Sequence, residues 1–481
     1  MSTNRATLEL FAALDRASPE PLRAQLETAI RAAIAGGGAP PGTRLPASRV
    51  LAEALHVSRG VVSEAYAQLA AEGWIEVRHG AAPVVRTEPA NIKRDSPSLG
   101  NDPGGGRPPG TPTGVFLKGD SPSLGNVGAP AARVDLRATA PDLSAFPRRA
   151  WAAALRRALA DMPDAALDYG DPRGDDELRA ELAAYLVRVR GAAANAEDLV
   201  ITSGYTQGLW LACRALAHRG ATRVAVEDPS LDDAWGTIRS AGLDVVPVPV
   251  DEHGIDPSRL DADAVLVTPA HQFPTGAVLS PERRRALLAW GGIVLEDDYD
   301  SEYRYDRAPV GTLQRLAPDR VVYLGTASKT LAPALRLGWV LAPPELTHAI
   351  ATERWAVDSG GPAINARAYA RLLATGEVDR HLRRTRREYR ERRDALVAAL
   401  TERLPGCRID GVAAGLHLLL RLPAGTDEDA VVRRLAERRV RVNGLNAYRL
   451  TARDEPALVI GYGRLPQAAV PGAVAALAHA L

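Results

Sequence analysis

Apolar residues at helical spacing run from Pro21 through Ile30 to Ile34, which predicts an amphipathic helix that Gly36-Gly37-Gly38 stops. Ala47-Ser48 then opens a short helix with Val50, Leu51 and Leu55 inward, and His56-Val57 forms a turn. Ser58 offers a hydroxyl to cap a further helix that carries Val61, Val62, Tyr66 and Leu69 and ends at Gly73. Two extended stretches, 74–77 and 83–85, follow around His79-Gly80 and predict a two-stranded wing.

The pattern then breaks. Residues 88–133 are rich in Pro, Gly, Ser, Asn and Asp and carry neither a helical nor a strand period, which is linker chemistry. This stretch repeats itself: Asp95-Ser-Pro-Ser-Leu-Gly-Asn101 returns as Asp120-Ser-Pro-Ser-Leu-Gly-Asn126, as a slipped duplication in a tolerant segment would. Beyond it, helical patterns alternate with short apolar strands at Leu199–Thr202, Arg223–Val226, Val245–Val250, Ala264–Val267, Ile293–Leu295 and Val321–Tyr323. That alternation predicts a largely parallel, doubly wound sheet. From about Leu346 longer helices dominate, as expected of a smaller α+β part. The expected organisation is a compact domain over 1–87, a linker over 88–133, and an α/β unit over 134–481 that divides near 345.

Helix, turn, capped helix and hairpin form the layout of a winged helix-turn-helix, whose second helix enters the DNA major groove. Ser58, Arg59 and Ser63 are suited to phosphates and base edges, Arg49 to a phosphate, and His79-Gly80 to the minor groove. Charge adds no support, since residues 1–90 hold nine arginines and nine acids. The segment resembles the GntR-type winged helix over roughly residues 20–86, through Pro41-Gly-Thr-Arg-Leu-Pro-Ala-Ser-Arg49, Val57-Ser58-Arg59 and Leu69-Ala-Ala-Glu-Gly-Trp-Ile75.

Composition sharpens one position. Only three lysines occur in 481 residues: Lys93 and Lys118 in the linker, and Lys329 in Gly325-Thr-Ala-Ser-Lys-Thr330. Arginine can substitute for lysine as a surface charge but cannot form an imine, so a lone lysine in the folded part points to amine chemistry such as a Schiff base with pyridoxal phosphate (PLP). Net charge of +1 argues for no particular partner, and Cys213 and Cys407 give no disulfide framework. The N-terminal residues lack a signal-peptide pattern and no apolar run reaches membrane-spanning length, so the expectation is a cytoplasmic protein.

A PLP site also needs an acid for the pyridine nitrogen, a partner for the ring hydroxyl and a phosphate cup. Asp297 and Tyr299, where a strand runs into Glu296-Asp-Asp-Tyr-Asp300, are the candidates for the first two. Ser203, Gly204 and Tyr205, at a strand-to-helix turn, would cradle the phosphate with Thr326 and Arg336.

With Tyr169-Gly-Asp-Pro-Arg-Gly174, Thr268-Pro-Ala-His-Gln-Phe-Pro-Thr-Gly276, Glu296–Glu302 and Gly325–Gly338 in order, most of 134–481 resembles the aminotransferases of PLP fold type I. Together with its winged helix the chain resembles the MocR branch of GntR-type regulators. The resemblance implies PLP on Lys329, contacts from Asp297, Tyr299, Ser203, Gly204, Thr326 and Arg336, and Tyr169 reaching the phosphate of a neighbouring subunit in a homodimer. It also implies that Arg464 grips a ligand carboxylate. Phe273 stands where many aminotransferases have asparagine, and Leu231 where an aromatic ring covers the pyridine. Asp233 lies near the position of an arginine in a relative that senses 4-aminobutyrate.

The expected function is a regulator that binds operator DNA and senses PLP or a PLP–amine adduct, similar to the PdxR controllers of vitamin B6 supply. The rivals are a working aminotransferase with an accessory DNA-binding domain and a cofactor-free dimer scaffold. The arginine-dense run from Arg380 to Arg393 reads as a solvated helix laced with Glu388 and Glu391 rather than as a second DNA surface.

Overall fold

The computed structural model describes residues 14, 16, 21–35, 38–72, 74–77, 82–85, 132–138, 140–305, 310–451 and 455–481. His79, Gly80 and nearly all of the 88–133 stretch lie outside them. The N-terminal unit holds α1 (Leu22–Ala35), α2 (Ser48–Ala54) and α3 (Arg59–Ala71), followed by β1 (Ile75–Glu76) and β2 (Val84–Val85), which pair antiparallel. Leu26, Ile30, Ile34, Leu51, Val62, Tyr66 and Leu69 close its core. Val50, expected to face inward, is 45% exposed, because the register of α2 turns Leu51 and Ala52 to the core instead.

The second unit begins with β3 (Val134–Asp135). Its centre is an eight-stranded sheet made of β4 (Leu199–Thr202), β5 (Arg223–Asp228), β6 (Asp244–Asp251), β7 (Gly254–Ile255), β8 (Ala264–Val267), β9 (Ile293–Asp298), β10 (Val321–Thr326) and β11 (Gly338–Leu341). The order is β4-β11-β10-β9-β8-β5-β6-β7, with β10, β9, β8, β5 and β6 parallel and β11 antiparallel to its neighbours. Both faces are buried, so successive residues of a strand enter different cores. Val224, Val226, Leu266, Leu295, Val322 and Leu324 pack under the helices Tyr205–His218, Asp232–Ser240 and Pro344–Asp358. Ala225, Val265, Val267 and Val294 meet Leu287 and Leu313 on the other side. Each of the buried Val and Leu side chains among these stabilises the fold by about 1.5–3 kcal/mol.

The smaller part adds an antiparallel sheet of β12 (Arg408–Asp410), β13 (His417–Arg421), β15 (Asn443–Gly444) and β16 (Ala457–Gly461), in the order β12-β13-β16-β15. Between them β14 (Val440–Arg441) pairs with β3, which ties the start of this unit to its C-terminal part. The arginine-dense run lies on the 27-residue helix Glu377–Arg403. Several of its guanidinium groups serve the fold: Arg386 donates to the Glu302 carbonyl at 2.8 Å, and Arg392 to Asp142 at 2.7 Å.

Strand β9 runs three residues further than the apolar pattern predicts, because the acids after Leu295 are buried and two of them accept hydrogen bonds from distant parts of the chain. Asp298 accepts from Arg190 Nε at 2.6 Å and from the Tyr323 hydroxyl at 2.7 Å. Removing one partner of such a pair leaves an uncompensated buried charge. Arg190→Met is therefore expected to lower unfolding free energy by about 3–5 kcal/mol in urea titrations.

Candidate functional site

The C-terminal ends of β5, β8, β9 and β10 open into a cavity of about 530 Å³, the position at which parallel sheets bind ligands. Glu227, Thr268, Asp297 and Thr326 reach it from these four strand ends. Lys329, three residues past β10, lines it as well. Burial lowers the Lys329 ammonium pKa, against the attraction of Asp297 and Asp300, which moves the amine toward its nucleophilic form.

Asp297 is buried on the face of β9 that meets the helix Tyr205–His218. Burial pushes its carboxyl well above the usual carboxylate range, while Tyr205 and Lys329 pull it down. Its Oδ1 meets no hydrogen-bond donor, and the Tyr205 hydroxyl is likewise without a matched partner. Leaving a buried acceptor unmatched costs about 1–3 kcal/mol. The wall of this cavity thus presents an acid with one buried oxygen, Oδ1, unmatched.

At the other end, β4 passes into the 14-residue helix Tyr205–His218 through Gly204, whose φ is +96°. That φ favours glycine, and a Cβ at Gly204 would in addition press on the Arg336 guanidinium at 3.2 Å. Arg336, Tyr205, Thr206, Thr326 and Ser328 line the cavity here. Thr326 Oγ1 lies 2.9 Å from Ser328 Oγ and 3.2 Å from the Leu337 carbonyl. Ser203 and Gly204 form the turn behind this wall, and the Ser203 N–H donates to Gln207 Oε1 at 2.6 Å. A cation, hydroxyls and a helix N-terminus together make an anion site.

Tyr299 presents its ring to the cavity while its hydroxyl turns back, 3.1 Å from both the carbonyl oxygen and Nδ1 of His271. His271 Nδ1 in turn lies 3.0 Å from Asp300, and its ring packs on His417 at 4.9 Å. Leu231 and Phe273 complete the apolar wall.

Arg464 lines the cavity too, donating to the Pro141 carbonyl at 3.2 Å and lying 3.3 Å from Asp135. Arg137 stands beside it, clamped on Asp135 through two bonds of 2.9 and 2.7 Å. Sequence reasoning missed Arg137: it follows the Pro/Gly-rich stretch 88–133, and it is brought to the site by the β3–β14 pairing and by Leu136, whose carbonyl accepts from the Gly461 N–H at 2.8 Å. Tyr169 does not reach this cavity within one chain. It is 77% exposed, stacked edge-on against Trp355 at 6.2 Å.

In the N-terminal unit Ser58 caps α3, accepting from the Val61 N–H at 3.4 Å. Arg49, Ser58, Arg59 and Ser63 are all exposed.

Comparison with known proteins agrees with both halves. Residues 22–85 match the family of bacterial regulatory proteins of the gntR type, and residues 135–471 match aminotransferase class I and II. The HTH-type pyridoxine biosynthesis transcriptional regulator PdxR of Corynebacterium glutamicum is 33% identical over 95% of each chain. The probable rhizopine catabolism regulatory protein MocR of Rhizobium meliloti is 31% identical over 93% of this chain and 91% of its own. Among solved structures, LysN, the α-aminoadipate aminotransferase of Thermus thermophilus complexed with N-(5'-phosphopyridoxyl)-L-leucine, superposes with a TM-score of 0.65. It is 27% identical and covers 72% of this chain and 92% of its own.

Glu227, on the cavity wall, is raised to about 7 by burial, against hydrogen bonds from Thr268 and Gln272. A carboxyl raised above its unfolded value of 4.5 contributes stability that is complete below that value and is lost as pH rises through about 7. Glu227→Gln should therefore gain on the wild type between pH 4.5 and pH 8, by up to about 3 kcal/mol in a pH series of urea midpoints.

Proposed function

Because this chain belongs to the MocR branch of GntR-type transcription regulators, in which a winged helix precedes an aminotransferase class I and II domain, we propose that its cavity takes PLP, and that occupancy sets how the protein holds DNA. The observation that carries this reading is Asp297, an acid on the cavity wall whose buried Oδ1 has no donor, in the same cavity as Lys329, the only lysine among the described residues. The residues present fit that group. Asp297 would receive the pyridine N–H, Lys329 would hold the aldehyde carbon, and Arg336 with Ser328 and the start of the helix Tyr205–His218 would hold the phosphate. When bound, PLP supplies an aldehyde that takes up amines reversibly. The chain's own residues bury that end away from water, keep the amine of Lys329 reactive and present Arg464 and Arg137 to a carboxylate. Asp233 on the same wall disfavours a ligand that carries a second carboxylate there.

Two chains are expected to pair. Leu167, Tyr169, Trp355, Val357 and Ile364 are large, exposed apolar or aromatic residues, and Leu167 and Tyr169 line a second hollow of about 910 Å³. A second copy seated there would cover them and would bring its own Tyr169 toward this chain. The proposed DNA contacts are Arg49, Ser58, Arg59 and Ser63, with His79 and Gly80 beyond the described residues. The resemblance to PdxR supports vitamin B6 supply as the controlled process.

Titration of the purified protein with PLP is expected to give a visible absorbance band that Lys329→Ala abolishes; an unchanged band in the variant would overturn this assignment. Arg59→Ala should leave the band intact and weaken operator binding by about 1–3 kcal/mol in gel-shift titrations at fixed salt.

A further inference from the structure

Strand β9 has two faces, and they serve different partners. Asp297 faces the cavity, while Glu296 points through the opposite face. The Glu296 carboxylate accepts the N–H groups of Leu313 and Gln314, each at 2.9 Å. These residues begin the short helix Leu313–Leu316, and the side chain of the next residue, Arg315, reaches out to the N-terminal unit. Its Nη2 donates to Thr28 Oγ1 at 2.6 Å and to the Ala24 carbonyl at 3.4 Å, both on α1 of the winged helix.

Just before this helix lies Gly311. A Cβ built there would fall 1.9 Å from Gln68 Nε2 and 3.1 Å from Glu72 Oε1, so the C-terminal end of α3 rests directly on the glycine backbone. The seat is rigid from both sides. Arg284, fully buried, donates to the Gly311 carbonyl at 2.9 Å. Glu72 is held by Arg31 through two bonds of 2.8 Å and by Gln68 at 2.6 Å. The seated end of α3 is the far end from Ser58, Arg59 and Ser63, which stay exposed. Contact with the large unit therefore leaves the DNA-reading edge open.

We propose that Gly311–Arg315 is the docking seat of the winged helix, and that Glu296 is the positioning residue that links this seat to the cofactor cavity. The proposal rests on the reading that the cavity takes PLP. Glu296 and Asp297 are consecutive on β9, so a displacement of the strand end at Asp297 is passed on to Glu296 and its two bonds to Leu313 and Gln314. A partner arriving at Asp297 thus acts on the strand end from which the seat hangs by two hydrogen bonds. Coupling of this kind is reciprocal: a change that unseats the winged helix must alter PLP affinity by the factor by which PLP alters seating.

Hydrogen–deuterium exchange of the full chain, with and without PLP, tests it on the wild type, Gly311→Val and Arg315→Ala, with the absorbance band recorded on the same samples. The wild type is expected to show PLP-dependent exchange in α1 around Thr28 and in α3 around Gln68. In Gly311→Val exchange at both places rises about tenfold and no longer responds to PLP, while the band persists. Arg315→Ala, which introduces no clash, is expected to give the same loss of response and covers a Gly311→Val protein that fails to fold. A wild type whose band forms without any change in these helices, or variants that respond as the wild type does, would overturn the seat as a link. A wild type with no band overturns the PLP reading itself, and the link falls with it.

Discussion

Three consecutive acids, Glu296, Asp297 and Asp298, are buried side by side at the end of β9, and much of the architecture answers the question of how a low-dielectric interior tolerates them. Like charges this close cannot all ionise freely. Burial and Asp298 push Glu296 up to about 7, and burial raises Asp297 well above the usual carboxylate range. Each acid is met differently. Asp298 takes a guanidinium from the helix Asp176–Arg190 and a phenol from β10. Glu296 takes two backbone N–H groups. Asp297 lines the cavity and keeps its buried Oδ1 without a donor. Glu296, and Asp298 through its Oδ2, fix the strand, and Asp297 is the acid on the cavity wall.

That division also explains how one strand serves two purposes. Period-two alternation sends Asp297 to the cavity and its neighbours to the opposite face. A ligand site and a domain contact are thereby built back to back, with no extra element between them. The cavity is shaped as a holding site. Its cation and hydroxyls gather at one end, its acid sits beneath, and Tyr299 has its hydroxyl committed to His271. Arg137 and Arg464 share Asp135, so neither guanidinium is a fully free charge, and a carboxylate would have to compete with that acid.

Much of this was legible in the sequence. Ser58 marked the start of α3 by its capping hydroxyl, and six of the strands were visible as short β-branched runs. The ends of β5, β9 and β10 were not, because Glu227-Asp228, Glu296–Asp298 and Gly325-Thr326 are polar or small, and their burial depends on partners distant in sequence. β11 went unseen because Gly338-Trp-Val-Leu follows closely on the lysine loop and returns antiparallel, against the pattern of its neighbours. Lys329, Asp297 and Arg336 could be named from motifs, since each lies at a strand end or tight turn with a recognisable local spelling. Arg137 could not: its place depends on a two-residue strand pairing across some three hundred residues. Nor could the contact of Gly311 with α3, since a glycine in a loop gives no sign of what rests on it.

The central claim is that Lys329 is the residue that holds PLP. The most direct test is borohydride reduction of the PLP-treated protein, followed by peptide mass spectrometry. The chain has only three lysines, so the readout is nearly binary. The account predicts a phosphopyridoxyl adduct on the peptide that contains Lys329 and none on those with Lys93 or Lys118. An adduct spread over the linker lysines, or none at Lys329, would contradict it.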